Sequence, residues 1–167
     1  MPPIAIVTDT DASLPAEVAA RHGIQLVPIM IHFGEESLKS DEEIDDATLF
    51  ARVDREGKLP TTSAPAPGQF AEAYEAAFGA GAEQIVCLCV SGEVSATYGA
   101  AVVARDLFPD RDISVVDTRT LAMAQGFVVL AAAEAAEAGA SVEEIVAHAT
   151  DVGERTQLYA ALSTLKY

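Results

Sequence analysis

The chain has 167 residues, half of them apolar, with ten basic and 26 acidic side chains and a formal charge of −16. That length suits one domain burying roughly 70% of its unfolded surface, and the apolar share excludes a disordered tail or a small disulfide-stapled scaffold. The charge excludes nucleic-acid binding built on Lys and Arg, and equally an anionic membrane surface.

Ile4–Thr8 is a short β-rich run ended by a polar turn, Asp9-Thr10-Asp11-Ala12-Ser13. The residues before it, Met1-Pro2-Pro3, carry no basic region or signal-like apolar stretch, so the expected location is cytoplasmic. Ser13 is placed to cap a helix that Pro15 starts, that runs to about His22 and that Gly23 stops. Ile24–Phe33 reads as a second strand, followed after Gly34 by a short edge strand near Ser37–Lys39. Asp45 or Asp46 caps a helix through Glu56 that turns Leu49, Phe50 and Val53 inward. The acidic run from Asp41 to Asp46 lacks the alternating ligands and mid-loop glycine of an EF-hand and reads as a solvated cap.

Lys58–Pro67 holds three prolines in ten residues. That excludes a helix interior or a central strand and predicts an extended, stiffened loop. Gly68–Phe78 resumes a helix with Phe70, Tyr74, Ala77 and Phe78 at helical spacing, and Gln84–Val90 is a third, buried strand. Cys87 and Cys89 share one face of it and read as core residues, not as a disulfide or a zinc pair. Ser91–Ser95 is a polar turn, after which Val94, Tyr98, Ala101 and Val102 form the inner stripe of a helix. Ile113–Asp117 is a fourth strand, and an alanine-rich helix begins near Leu121. Its stretch Ala122–Ala140 is the closest approach to the roughly 20 apolar residues of a membrane span, but Glu134 and Glu137 interrupt it. Ser141-Val-Glu-Glu144 is a capping box for a helix to Gly153, and Leu158–Leu162 reads as a last strand.

Strands and helices alternate, and the strands are apolar on both faces. This predicts an α/β fold, a mostly parallel sheet with helices on both faces. Ligands in such sheets sit beyond the carboxyl ends of the strands. That singles out Asp9–Ser13, Ser91–Ser95 and Asp117–Thr120, and composition adds Pro60–Pro67.

These loops contain hydroxyls and no catalytic signature. There is no Walker loop, no dinucleotide fingerprint, no nucleophile elbow and no Cys/His metal spacing. His22, His32 and His148 fall outside the loops, and His32 reads as a satisfied, half-buried residue. A hydroxyl without a paired base is a poor nucleophile but a good donor, and at a helix N-terminus it suits a carboxylate or phosphate. One enzymatic alternative stands beside this. Asp9-Thr10-Asp11 follows a strand as in haloacid-dehalogenase-like, Mg-dependent phosphohydrolases, with Asp9 attacking phosphorus and Asp11 handling the proton. Against it, Ala12 replaces the customary glycine, no late acidic pair completes a metal site, and the only late lysine is Lys166.

Several segments together resemble the DegV family. They are Ile6-Val-Thr-Asp-Thr10 with Leu14-Pro15, the Ile24–Phe33 strand, Thr61-Thr-Ser-Ala-Pro-Ala-Pro-Gly-Gln-Phe70, Val90-Ser-Gly-Glu-Val-Ser-Ala-Thr-Tyr98, and Val115-Val-Asp-Thr118. The resemblance implies a non-enzymatic protein that holds one long-chain fatty acid and needs no cofactor or metal. It places the carboxylate on Thr62 and Ser95, with Ser63 and Ser91 nearby. It also implies, in some members, presentation of the acid to a dihydroxyacetone-kinase-like fatty-acid kinase partner. Ala64 and Ala96 stand where the family often has Gln and Gly, and Ala122 and Ala124 where it has Ser and Gly. By the same resemblance, residues 1–155 form the N-terminal lipid-binding domain, and 156–167 begin a segment leading to a second domain that this sequence lacks. Such a half would expose apolar surface, so self-association through that face is expected. A domain with only this association role is the remaining alternative.

Overall fold

A computed structural model describes residues 3–161. Four parallel strands form the main sheet in the order β2-β1-β6-β7: β1 Ile4–Asp9, β2 Gln25–Val27, β6 Gln84–Cys89 and β7 Asp112–Asp117. Their side chains alternate between two apolar layers. Ile6, Val86, Leu88 and Val116 pack against α1 (Ala16–Arg21), α5 (Ala122–Glu137) and α6 (Val142–Arg155). Val7, Ile85, Cys87, Cys89 and Val115 face the other way, onto α3 (Pro67–Gly79) and α4 (Thr97–Arg105). The mostly parallel sheet with helices on both faces is therefore as expected, and Cys87 and Cys89 are buried thiols on one face, 3.7 Å apart.

The crossover after β1 places α1 on one face, and the crossover after β6 places α4 on the other. Chain direction thus diverges between β1 and β6, which opens a crevice at their carboxyl ends. A second, antiparallel sheet stands beside it in the order β4-β3-β5: β3 Met30–Phe33, β4 Glu36–Lys39 and β5 Thr61–Ser63.

This small sheet corrects several expectations. Ile24–Phe33 is not one strand but two, in two different sheets. Pro28 has no N–H for the ladder, and the Ile29 N–H turns instead to Thr10 Oγ1 at 3.0 Å. Part of the proline-rich segment is also a strand, but at a sheet edge, where flanking prolines are tolerated. The helix α2 (Asp46–Glu56) is capped by Asp45, whose Oδ1 accepts the Thr48 N–H at 2.7 Å. It buries no residue, and Phe50 is 63% exposed. Arg52 anchors it laterally, stacked 3.9 Å above the Phe33 ring and paired with Glu36.

Two further corrections concern helix ends. Ser13 does not cap α1; it takes a left-handed φ of 51° after a 3-10 turn, Thr10–Ala12, that Asp9 caps. Val94, expected in the inner stripe of α4, is 66% exposed because the helix begins only at Thr97. The Ser141 capping box is present. Residues 156–161 are not strand, and Leu162 lies outside the described residues.

The long helix α5 buries Ala124, Gln125, Val128, Val129, Ala132 and Ala133, while Phe127 remains 54% exposed. Among the described residues no helix is long and apolar enough to cross a membrane. α5 meets the 3-10 turn at Gly126, where a Cβ would lie 2.6 Å from the Ala12 carbonyl and 3.0 Å from Met123 Sδ. Gly126→Ala should therefore destabilise the fold by about 1–3 kcal/mol, the usual penalty of overpacking, read as a lowered midpoint in thermal denaturation.

Candidate functional site

At the carboxyl ends of β1 and β6 lies a cleft of about 300 Å³. It is bordered by Asp11, Ile29, Thr62 and Ser63 on one side and by Val90, Val94, Ser95, Ala96, Thr97 and Leu121 on the other. Three of the four predicted site residues, Thr62, Ser63 and Ser95, thus meet at one cleft from segments more than thirty residues apart. Ser91 does not border it. Its side chain is buried and its Oγ accepts the Glu93 N–H at 3.3 Å, so this hydroxyl shapes the turn.

Alternation along β5 projects Thr62 and Ser63 from opposite faces of the strand. Ser63 Oγ is 2.9 Å from His32 Nε2, and His32 Nδ1 is 2.8 Å from Ser37 Oγ. His32 is satisfied, as expected, and its partner Ser63 borders the cleft. The Thr62 hydroxyl has no partner among the described residues.

The turn from Val90 to Thr97 is the most constrained part of the site. Val90 N–H donates to Asp9 Oδ2 at 2.9 Å, Ser91 N–H to the Thr120 carbonyl at 2.9 Å, and Gly92 N–H to Asp117 Oδ1 at 3.2 Å. The Val94 and Ser95 N–H groups return to the Ser91 carbonyl, both at 3.1 Å. Ser95 Oγ then accepts the Thr97 N–H at 3.3 Å and lies 2.8 Å from Thr97 Oγ1. Among the described residues, the N–H groups of Ala96, Tyr98 and Gly99 are left without a partner. The first turn of α4 therefore presents unpaired donors and a partial positive charge beside the cleft.

Among the described residues, Asp11 is the only charged side chain bordering the cleft. Its Oδ2 accepts the Ala122 N–H at 3.3 Å, which helps hold Ala122 at an unfavourable φ of 52°. Asp9 is fully buried. Its oxygens accept N–H groups from Val90, from Asp11 at 3.1 Å and from the Gln125 amide at 3.3 Å. A nucleophilic carboxylate needs an oxygen open to its substrate, and Asp9 exposes none. Among the described residues no group of three or more His, Cys, Asp or Glu is placed to hold a metal ion.

The DegV family model matches residues 3–167. The chain belongs to the DegV family. A DegV domain-containing protein of Streptomyces coelicolor is 44% identical over 164 residues, covering 98% of this chain and 58% of the relative. A DegV family protein of Thermus thermophilus, described by its fatty acid binding, superimposes with a TM-score of 0.82 at 35% identity, covering 92% of this chain and 54% of that one. DegV of Bacillus subtilis, described as a fatty acid binding protein, gives a TM-score of 0.84 at 30% identity, with 92% and 55% covered. This chain spans little more than half the length of these DegV relatives.

Sequence reasoning named the hydroxyls but missed the backbone donors of Ala96, Tyr98 and Gly99 and the carboxylates that hold their turn. The aspartates that end β1 and β7, Asp9 and Asp117, were the available signal.

Burial raises the Asp9 pKa from 3.8 to about 6, against the opposing pull of the Val90 and Gln125 hydrogen bonds. The folded state thus holds this proton more tightly than the unfolded chain. Asp9 supports the fold fully below pH 3.8 and loses that support as pH rises through about 6. Between pH 4 and 7 the wild type should lose about 2 kcal/mol relative to Asp9→Asn, measured as the difference between their urea-unfolding free energies across that range.

Proposed function

We propose that this chain binds a long-chain fatty acid and holds its carboxylate against the first turn of α4. The observation that carries this reading is the cleft itself, where Thr62 and Ser95 flank unpaired N–H donors at a helix N-terminus. Such a corner suits a carboxylate without a lysine or arginine. The fatty acid binding described for the Thermus thermophilus and Bacillus subtilis relatives supports the choice of ligand.

Each side chain then has a role. Ser95 is oriented by Thr97 and donates to one carboxylate oxygen; Thr62 reaches from β5 to the other; the Ala96 N–H completes the set. Ser63 supports β5 through His32, and Ser91 fixes the turn. The acyl chain supplies most of the affinity, about 0.8 kcal/mol per buried CH₂. The half-exposed Phe127 and Leu158 are apolar surface that the remaining length seen in relatives, or a second copy, would cover. The chain binds and does no chemistry; a dihydroxyacetone-kinase-like fatty-acid kinase is the partner to which it would present the acid. The buried Asp9 carboxylate speaks against the phosphohydrolase alternative.

Ser95→Ala and Thr62→Ala should each weaken palmitate binding by about 1–3 kcal/mol, the range for stranding a charged group's partner. Titration calorimetry measures it, and affinity unchanged in both variants would sink the assignment.

A further inference from the structure

The Val90–Thr97 turn reaches its shape by leaning on its neighbours, and the residues it leans on, Asp9, Thr120 and Asp117, all lie outside the cleft lining. Asp117, at the end of β7, does not border the cleft, yet its Oδ1 accepts two N–H groups: Gly92 at 3.2 Å and Arg119 at 2.9 Å. The fit is close on both sides. A Cβ at Gly92 would lie 3.1 Å from Asp117 Oδ2 and 3.6 Å from Tyr98 Cδ1. Residue 92 thus has little room for a side chain while Asp117 is in place. Asp117 is itself held by the Arg119 N–H, on a residue with a left-handed φ of 55°.

Three residues separate Gly92 from Ala96. From Ser91 to Thr97, the N–H groups of Glu93, Val94, Ser95 and Thr97 are bonded only within the turn. The turn is therefore tied together internally. Its anchors to the rest of the protein are Asp9 on Val90, Thr120 on Ser91 and Asp117 on Gly92. Of these, Gly92–Asp117 is the anchor nearest in sequence to the donors at the start of α4.

We infer that Asp117 is a positioning residue for the carboxylate site, acting through Gly92 to hold Ser95 and the Ala96, Tyr98 and Gly99 amides in register. The inference rests on the fatty-acid reading above for its ligand, but not for its mechanics. What the turn needs from Asp117 is an acceptor at Oδ1; its negative charge works against an anionic ligand. Aspartate and asparagine therefore act alike here, and alanine does not.

Palmitate affinity and backbone amide exchange are measured on wild type, Asp117→Ala, Asp117→Asn, Gly92→Ala and the Gly92→Ala/Asp117→Ala double variant. Asp117→Ala should bind about tenfold more weakly, with faster exchange across residues 92–99 and a thermal midpoint close to wild type. Asp117→Asn should bind as tightly as wild type or more tightly, a rescue that a charge-based role would not give. Gly92→Ala should match Asp117→Ala, and the double variant should be no worse than either, since removing the carboxylate makes room for the methyl group. Wild-type binding that Ser95→Ala weakens but Asp117→Ala leaves intact would overturn the inference while sparing the fatty-acid reading. Absence of palmitate binding by wild type would overturn that reading instead. In that case exchange decides: rates at 92–99 unchanged by Asp117→Ala would overturn the positioning role as well.

Discussion

Asp9 sits without solvent contact between the two strands where chain direction diverges, and it accepts N–H groups from three different segments. Val90 directly follows β6, Asp11 lies in the turn after β1, and Gln125 is in α5. A carboxylate is expensive to bury, and its raised pKa of about 6 records that expense. The return is geometric. One side chain fixes the ends of the two central strands against each other and against the helix behind them. Gly126, one residue past Gln125, lets that helix approach the Ala12 carbonyl closely enough for the contact to form. The crevice between β1 and β6 is a consequence of topology, but its width and the path of the turn above it follow from this carboxylate.

The small antiparallel sheet is the second constraint, because it brings β5 over the crevice. Its strands are three or four residues long, and β5 is held by pairing Met30–Ser63, Ile31–Thr62 and His32–Thr61. So short an edge strand has little cooperativity of its own. Proline at 60 and 65 limits its unfolded freedom, and the Ser63–His32–Ser37 contacts add a side-chain tie across all three strands. Thr62 therefore arrives at the cleft on a braced segment, although that segment buries almost nothing.

Local chemistry made most of the main sheet legible from sequence. Apolar β-rich runs marked β1, β6 and β7; Asp45 and the Ser141–Glu144 pair marked helix starts because their capping bonds close within one turn. What local chemistry does not encode was missed. Pro28 signals a break in a ladder but not that the two halves join different sheets, which depends on the distant Thr61–Ser63. Phe50 and Val94 lie at helical spacing, yet one sits on a helix laid against a thin sheet and the other just before a helix start, so neither is buried. At the site, hydroxyl-rich loops pointed to Thr62, Ser63 and Ser95. Ser91 looks the same in sequence, and only the path of the turn shows that its hydroxyl is spent on Glu93. Unpaired amides carry no side-chain mark at all.

The remaining question is how so acidic a chain would hold an anion. At physiological ionic strength charges more than about 8 Å apart are largely screened, so most of the −16 does not reach the cleft. What acts there is short-range: Asp11, already accepting the Ala122 N–H, against the unpaired donors of α4. Under the fatty-acid reading this division has a consequence for specificity. Burial of the acyl chain supplies affinity in proportion to its length, while the donors, fixed before any ligand arrives, select for a compact acceptor at one end. A cation at the site would add attraction for any anion; hydroxyl and amide donors at set positions favour one whose oxygens fit them. The carboxylates of Asp9 and Asp117 would serve that selection despite their sign, because each is turned toward backbone N–H groups that shape the turn.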